Sequence, residues 1–253
     1  MKQTIYMPAP ELSTLKVVNI DPEMTGKHYC ELASTEGEIP EVVALSIMND
    51  LMDEDANRLT LSELRYLFTM VKIYSMENNY TVEFTCTHTV KGKVCGAVNS
   101  MKMSLSDADL NRTPKKYKVP TLDFIVEGKE RKCKVMPPEV SMEIELLRYF
   151  VIDKGVPYDS MGEDKAVSVE YGMMRVLLHL VDDETGERVF GVKDFDSYRE
   201  FTDANKYTTI SKLFDLSNEV DSYGVQPKDV ECKCKECGGT LVFRLPLLHG
   251  LVG

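Results

Sequence analysis

The chain has 253 residues, 43% hydrophobic and 28% charged, which is ordinary for a soluble globular protein and enough to bury a sizeable core. No run of ~18 apolar residues occurs, so no membrane span is expected. A net charge of -11 repels phosphates and weighs against general nucleic-acid binding. The N-terminal residues lack the apolar core of a signal peptide, which points to a protein of the cytoplasm or one assembled there.

In chain order, residues 1–38 hold Pro8, Pro10, Pro22, Gly26 and Gly37 and read as an irregular N-terminal arm, either ordering against a neighbour or packed as loop on its own domain, with one strand candidate at 15–20. Residues 39–253 read as a single α+β domain. Pro40 sits at a first helical position ahead of Val42, Val43, Leu45, Ile47, Met48 and Leu51. A second helix starts at Thr60, where Glu63 completes a capping box, and it is expected to end at Asn78 and Asn79. Leu61, Leu64, Leu67, Phe68 and Val71 form its inner stripe. Residues 80–86 and 94–105 alternate as strands, with a tip carrying Cys86, His88, Gly92 and Cys95. A second hairpin runs over 122–126 and 131–135 around Gly128, and Pro137 and Pro138 close the section. Helical spacing returns from Ser141 through Phe150, followed by an apolar stretch over 166–181 and a turn over 182–186. Helices are expected over 194–204 and 209–221, with Gly224 as the stop. A strand over 240–245 leaves the last cysteine turn. The resulting fold class is a helical body with a zinc-ribbon-like β unit, built from about 80–105 and 228–248.

The cysteines carry the chemistry. There are seven, and in a reducing compartment clustered cysteines bind metal more often than they form disulfides. Cys234 and Cys237, followed by Gly238, make a knuckle turn, because two intervening residues aim both sulfurs at one ion. Cys86 and Cys95 are more widely spaced, but a hairpin loop brings such residues together. The leading ligand set is therefore Cys86, Cys95, Cys234 and Cys237, with His88 or Cys232 as the alternate for one position. Four soft ligands leave no open position, so the site would hold structural zinc. Cys30 and Cys133 stand apart and are expected to be small buried or half-buried residues.

No catalytic constellation is found. A zinc deaminase needs a His-x-Glu and a proline before the Cys-x-x-Cys, and here the residue before Cys234 is Lys233. His179 lies in an apolar stretch and reads as a satisfied core residue, and His249 stands alone near the end. A basic island comprises Arg112, Lys115, Lys116, Lys118, Lys129, Arg131, Lys132 and Lys134. It reads as a solvated hairpin face or, more sharply, a docking patch for an acidic partner. The partner-binding residues are otherwise unknown. A zinc-ribbon nucleic-acid or transcription module using this island is the alternative function.

Three features together resemble a known family. They are the cysteine-bearing strand over 82–86 leading to Val98 and 101–105, the stretch 192–201 with Phe214 beyond it, and the Cys234–Cys237–Gly238 turn followed by 243–246. This order resembles the baseplate hub and hub-assembly proteins of T-even-like contractile-tailed phages, over most of residues 60–250. The long first cysteine loop and the extra Cys232 depart from the family pattern and leave the ligand set open. The resemblance implies a non-enzymatic component of a phage tail baseplate, or a factor that builds it, in oligomeric contact with other tail proteins. It would reside in the virion or in the host cytoplasm during assembly.

Overall fold

The computed structural model describes residues 2–33, 39–75, 79–104, 109–158, 161, 164–191, 198–226, 229–244 and 247. Strand β1 (Gln3–Tyr6) pairs antiparallel with β2 (Val17–Ile20), placing Ile5 opposite Val18. Helix α1 (Gly26–Ala33) follows. Strand β2 answers the strand candidate at 15–20, and the first stretch is a packed hairpin and helix rather than irregular chain. Ile5, Met7, Val18, Ile20, Met24 and Leu32 enter the first core, and that burial orders a proline-bearing segment with little local propensity of its own.

Helix α2 (Pro40–Leu51) starts with Pro40 in its first turn, as predicted. Helix α3 (Leu61–Ser75) starts with the predicted capping box: the Thr60 N–H donates to Glu63 Oε2 at 2.8 Å, and the Glu63 N–H donates to Thr60 Oγ1 at 3.3 Å. Both helices bury their stripes in the first core, where Leu64, Leu67, Phe68, Ile47 and Met48 are fully enclosed.

The long strand expected over 94–105 is interrupted. Strand β3 (Asn79–Thr85) pairs with β6 (Val98–Ser104), and β4 (Thr89–Val90) pairs with β5 (Lys93–Val94) in a small hairpin beyond them. Strand β7 (Asp109–Asn111) comes next. Strands β8 (Thr121–Val126) and β9 (Lys129–Val135) form the predicted hairpin. Helix α4 (Val140–Arg148) continues into a π turn over Tyr149–Asp153. The single apolar stretch over 166–181 is two elements. Helix α5 (Lys165–Leu177) is capped by Asp164, and β10 (Leu180–Asp182) adds a third strand beside β9. Helices α6 (Tyr198–Ala204) and α7 (Tyr207–Asp221) cover that sheet and form a second core with Phe124, Phe190, Phe201 and Leu213.

Strand β11 (Gly224–Gln226) pairs with β7, and β12 (Asp229–Lys233) pairs with β13 (Thr240–Arg244). Strand β7 follows the first cysteine hairpin in the chain and β11 precedes the second, so their pairing joins the segments next to the two hairpins. Gly224 has φ of +104° and lies so close to α3 that an added Cβ would stand 2.7 Å from the Cβ of Ser62. Only glycine lets β11 seat there. All strand pairs among the described residues are antiparallel, and helices and strands are mixed along the chain, as an α+β fold requires. The predicted helix stop at Asn78, the strand end at Leu105, the helix start at Asp194, the motif residues 192–197 and His249 lie outside the described residues.

Candidate metal centre

Each half of the site is a tight turn at the end of a strand pair. In the first, the Cys86 N–H donates to the Ala97 carbonyl at 2.9 Å and the Gly96 N–H returns to the Cys86 carbonyl at 3.0 Å. The Cys95 N–H donates to the His88 carbonyl at 2.7 Å. The long loop between Cys86 and Cys95 is therefore folded back on itself by the β4–β5 hairpin. In the second turn, the Cys234 N–H donates to the Gly239 carbonyl and the Gly238 N–H to the Cys234 carbonyl, both at 2.9 Å. Gly96 and Gly238, which follow Cys95 and Cys237, both have φ near the left-handed value, at +66° and +68°.

The turns meet. Cys86 Sγ lies 3.7 Å from Cys237 Sγ, and Cys95 Sγ lies 3.8 Å from Cys234 Sγ. All four sulfurs lie within 4.8 Å of one another, and none is in a disulfide. A tetrahedral ion with sulfur bonds of about 2.3 Å requires sulfur–sulfur edges of about 3.8 Å. Two edges already have that length. The donor set and its spacing fit a closed four-thiolate metal site.

The environment acts differently on Cys86, Cys95 and Cys234. Cys86 is fully buried, and burial pushes its thiol up to about 12. Cys95 is also raised: the Ala97 backbone contact lowers it, while burial and the thiols of Cys234 and Cys237 push it up. Cys234 falls to about 6, because the backbone N–H of Cys237 stabilises its thiolate, aided by the Glu236 N–H and Asn99. The Gly239 N–H points at Cys237 Sγ from 3.5 Å.

The structure places the remaining sequence candidates plainly. His88 is beside the group: its Nδ1 lies 3.6 Å from Cys86 Sγ and 4.0 Å from Cys237 Sγ. Cys232 is on β12 opposite Leu241, half-buried and outside the four-sulfur group. Cys133 is buried in the second core. Cys30 corrects the expectation, because it is exposed. Helix α1 buries His28 and Leu32, one turn apart, and Cys30 falls between them on the outer side.

Asn99 was not anticipated. It is buried on β6 among otherwise unremarkable alternating residues. Its Nδ2 donates to the Ala97 carbonyl at 2.9 Å and toward Cys234 Sγ at 3.5 Å, and its Oδ1 accepts the Lys235 N–H at 2.9 Å. A lone asparagine in a strand would have been its only signal.

His179 is the satisfied core residue expected. It is fully buried, with Nε2 3.0 Å from Asp221 Oδ1 and Nδ1 3.1 Å from the Arg175 carbonyl. Arg175 grips Glu143 through two contacts of 2.8 and 2.7 Å and Asp221 through one of 2.7 Å. This network ties α4, α5 and α7 together. Burial pushes the Asp221 carboxyl up, but His179 and Arg175 hold it below the usual range. The basic island divides. On β9, Arg131, Lys132 and Lys134 reach Glu127, Asp182 and Asp183. Lys115, Lys116 and Lys118 are exposed on the loop before β8.

Among the described residues no helix is long and apolar enough to cross a membrane. A family model described as "T4 bacteriophage base plate protein" matches residues 12–246, most of the chain. No curated protein and no solved structure matches significantly.

Proposed function

The chain belongs to the T4 bacteriophage base plate protein family, and on that premise we propose that it is a non-enzymatic structural or assembly component of the hub region of a phage tail baseplate, stiffened by one structural zinc. The family match over residues 12–246 carries the proposal. It implies a place in the tail of the virion and contacts with other tail proteins. Whether the protein acts in the finished particle or in the host cytoplasm during assembly is read from its presence in purified particles.

The zinc reading rests on the four sulfurs. Cys86, Cys95, Cys234 and Cys237 would hold the ion, and β3–β6 with β12–β13 would then form a zinc-ribbon-like unit over about 80–105 and 228–248. A four-thiolate zinc has no exchangeable position, so its contribution is folding energy rather than chemistry. The ion would fasten two hairpins that come from distant parts of the chain and present them as one stiff surface. The nucleic-acid alternative gains no support, since Arg131, Lys132 and Lys134 of the basic island already meet carboxylates of this chain.

The test has two arms. Purified protein should contain about one zinc per chain with four thiols protected until a chelator is added. A phage lacking this protein should form no complete tails, wild-type protein supplied in trans should restore them, and Cys237→Ser should restore them poorly. Complete tails without the protein would sink the baseplate assignment. A metal-free protein with all thiols reactive would sink the zinc.

A further inference from the structure

We propose that Asn99 is a positioning residue of the metal centre, one that tethers the second cysteine turn to the first hairpin and donates an N–H to the metal-bound thiolate of Cys234, so slowing release of the ion. This rests on the metal reading above.

The side chain's orientation is determined by its partners. The Lys235 backbone N–H can only donate, so the Asn99 atom facing it at 2.9 Å must be the carbonyl oxygen. The Ala97 carbonyl can only accept, so the atom facing it at 2.9 Å must be the amide nitrogen. That nitrogen has a second hydrogen, and Cys234 Sγ lies 3.5 Å away. Asn99 thus uses its oxygen on the second turn, one hydrogen on the residue just before its own strand and the other on a candidate ligand sulfur.

Its place in the chain makes this useful. Asn99 is on β6 directly opposite Phe84 of β3, two residues before Cys86. Through Lys235 and Cys234 it reaches a turn more than a hundred residues later in the sequence. The bond to Lys235 sets the second turn against the first hairpin. The N–H aimed at sulfur disperses part of the thiolate charge, and partners of ligands in this position typically govern metal retention ten- to a hundred-fold. Burial to 3% exposure keeps water from replacing either bond.

Asn99→Asp keeps the tether to the second turn and removes the donor. It keeps the size of the side chain and an oxygen for the Lys235 N–H, but it puts a carboxylate oxygen where the amide nitrogen faced both the Cys234 sulfur and the Ala97 carbonyl. Zinc-loaded wild type, Asn99→Asp and Asn99→Ser would be mixed with a chromogenic chelator well below their melting temperatures, and the release rate recorded. The expectation is a release at least about ten-fold faster in Asn99→Asp, and faster also in Asn99→Ser, with one zinc still bound at the start. The cobalt-substituted proteins should show the sulfur-to-cobalt absorption shifted in Asn99→Asp, which a purely structural role would leave in place. Unchanged release and an unchanged cobalt spectrum in Asn99→Asp would overturn the proposal. If Asn99→Asp does not fold, Asn99→Ser decides, and wild-type release from it would be equally fatal. A wild-type protein that binds no metal is a different result, and it refutes the zinc reading itself.

Discussion

One ion held by the four thiols would impose a slope that can be measured. If only the folded chain binds zinc, unfolding free energy should rise by about 1.4 kcal/mol for each tenfold increase in free zinc above Kd. The unfolded chain must compete poorly for this to hold, and the fold says that it does. Cys234 and Cys237 remain neighbours on unfolding, but Cys95 lies 139 residues from Cys234 and Cys86 lies 151 from Cys237. Closing a loop of that length costs an unfolded chain about 4 kcal/mol. That handicap is roughly a thousandfold in affinity, so the slope should persist over about three decades of free zinc. Urea unfolding followed by circular dichroism, at free zinc set by chelator buffers and constant pH, reads it directly. Cys237→Ser should flatten the line. A wild-type stability independent of zinc, or an equal slope in Cys237→Ser, would refute the reasoning. A slope of twice the size would mean a second ion.

The parts of the fold legible in sequence were those where local chemistry and tertiary packing agree. The Thr60–Glu63 capping box, Pro40 in the first turn of α2, and the hairpin around Gly128 each follow from side chains acting on nearby backbone. The cysteines were legible because soft ligands in knuckle spacing have few other uses, and their two turns do meet. What was hidden depends on distant partners. The β1–β2 hairpin has strands of four residues separated by a loop containing Pro8 and Pro10, and it forms because the first core needs Ile5, Val18 and Ile20. Strand β10 follows α5 so closely that helix and strand read as one apolar stretch, and only its pairing with β9 separates them. The three-residue β7–β11 pair, which joins segments next to the two cysteine hairpins in the chain, carries no periodic signal at all. Asn99 belongs to the same class, since its meaning comes entirely from a turn far along the chain.

Further consequences can be measured on single variants. The His88 ring approaches the sulfurs of Cys86 and Cys237, at 3.6 and 4.0 Å, so Cys86→Ser should keep zinc, more weakly, by recruiting the imidazole, whereas Cys95→Ser should lose it; equal zinc contents after dialysis would exclude His88 as a substitute ligand. Arg175→Met strands the carboxylates of Glu143 and Asp221 and should cost about 3–5 kcal/mol in urea unfolding; a loss below about 1 kcal/mol would show the network to be dispensable. Lys72 gives a pH signature of definite sign. It is fully buried, donates to the Leu247 carbonyl at 3.1 Å, and burial pulls its ammonium from 10.5 down to about 7. Between those values the unfolded chain binds more protons than the folded one, so this group makes stability rise with pH from about 7 to 10.5, by up to roughly 5 kcal/mol. Lys72→Met removes the titration, and its stability relative to wild type should therefore fall by several kcal/mol across that window. Taking the difference at each pH cancels the thiols and any metal, which both proteins share. A difference that stays flat would mean that the Lys72 ammonium is solvated in the folded protein and that the α3 core is more open than its packing implies.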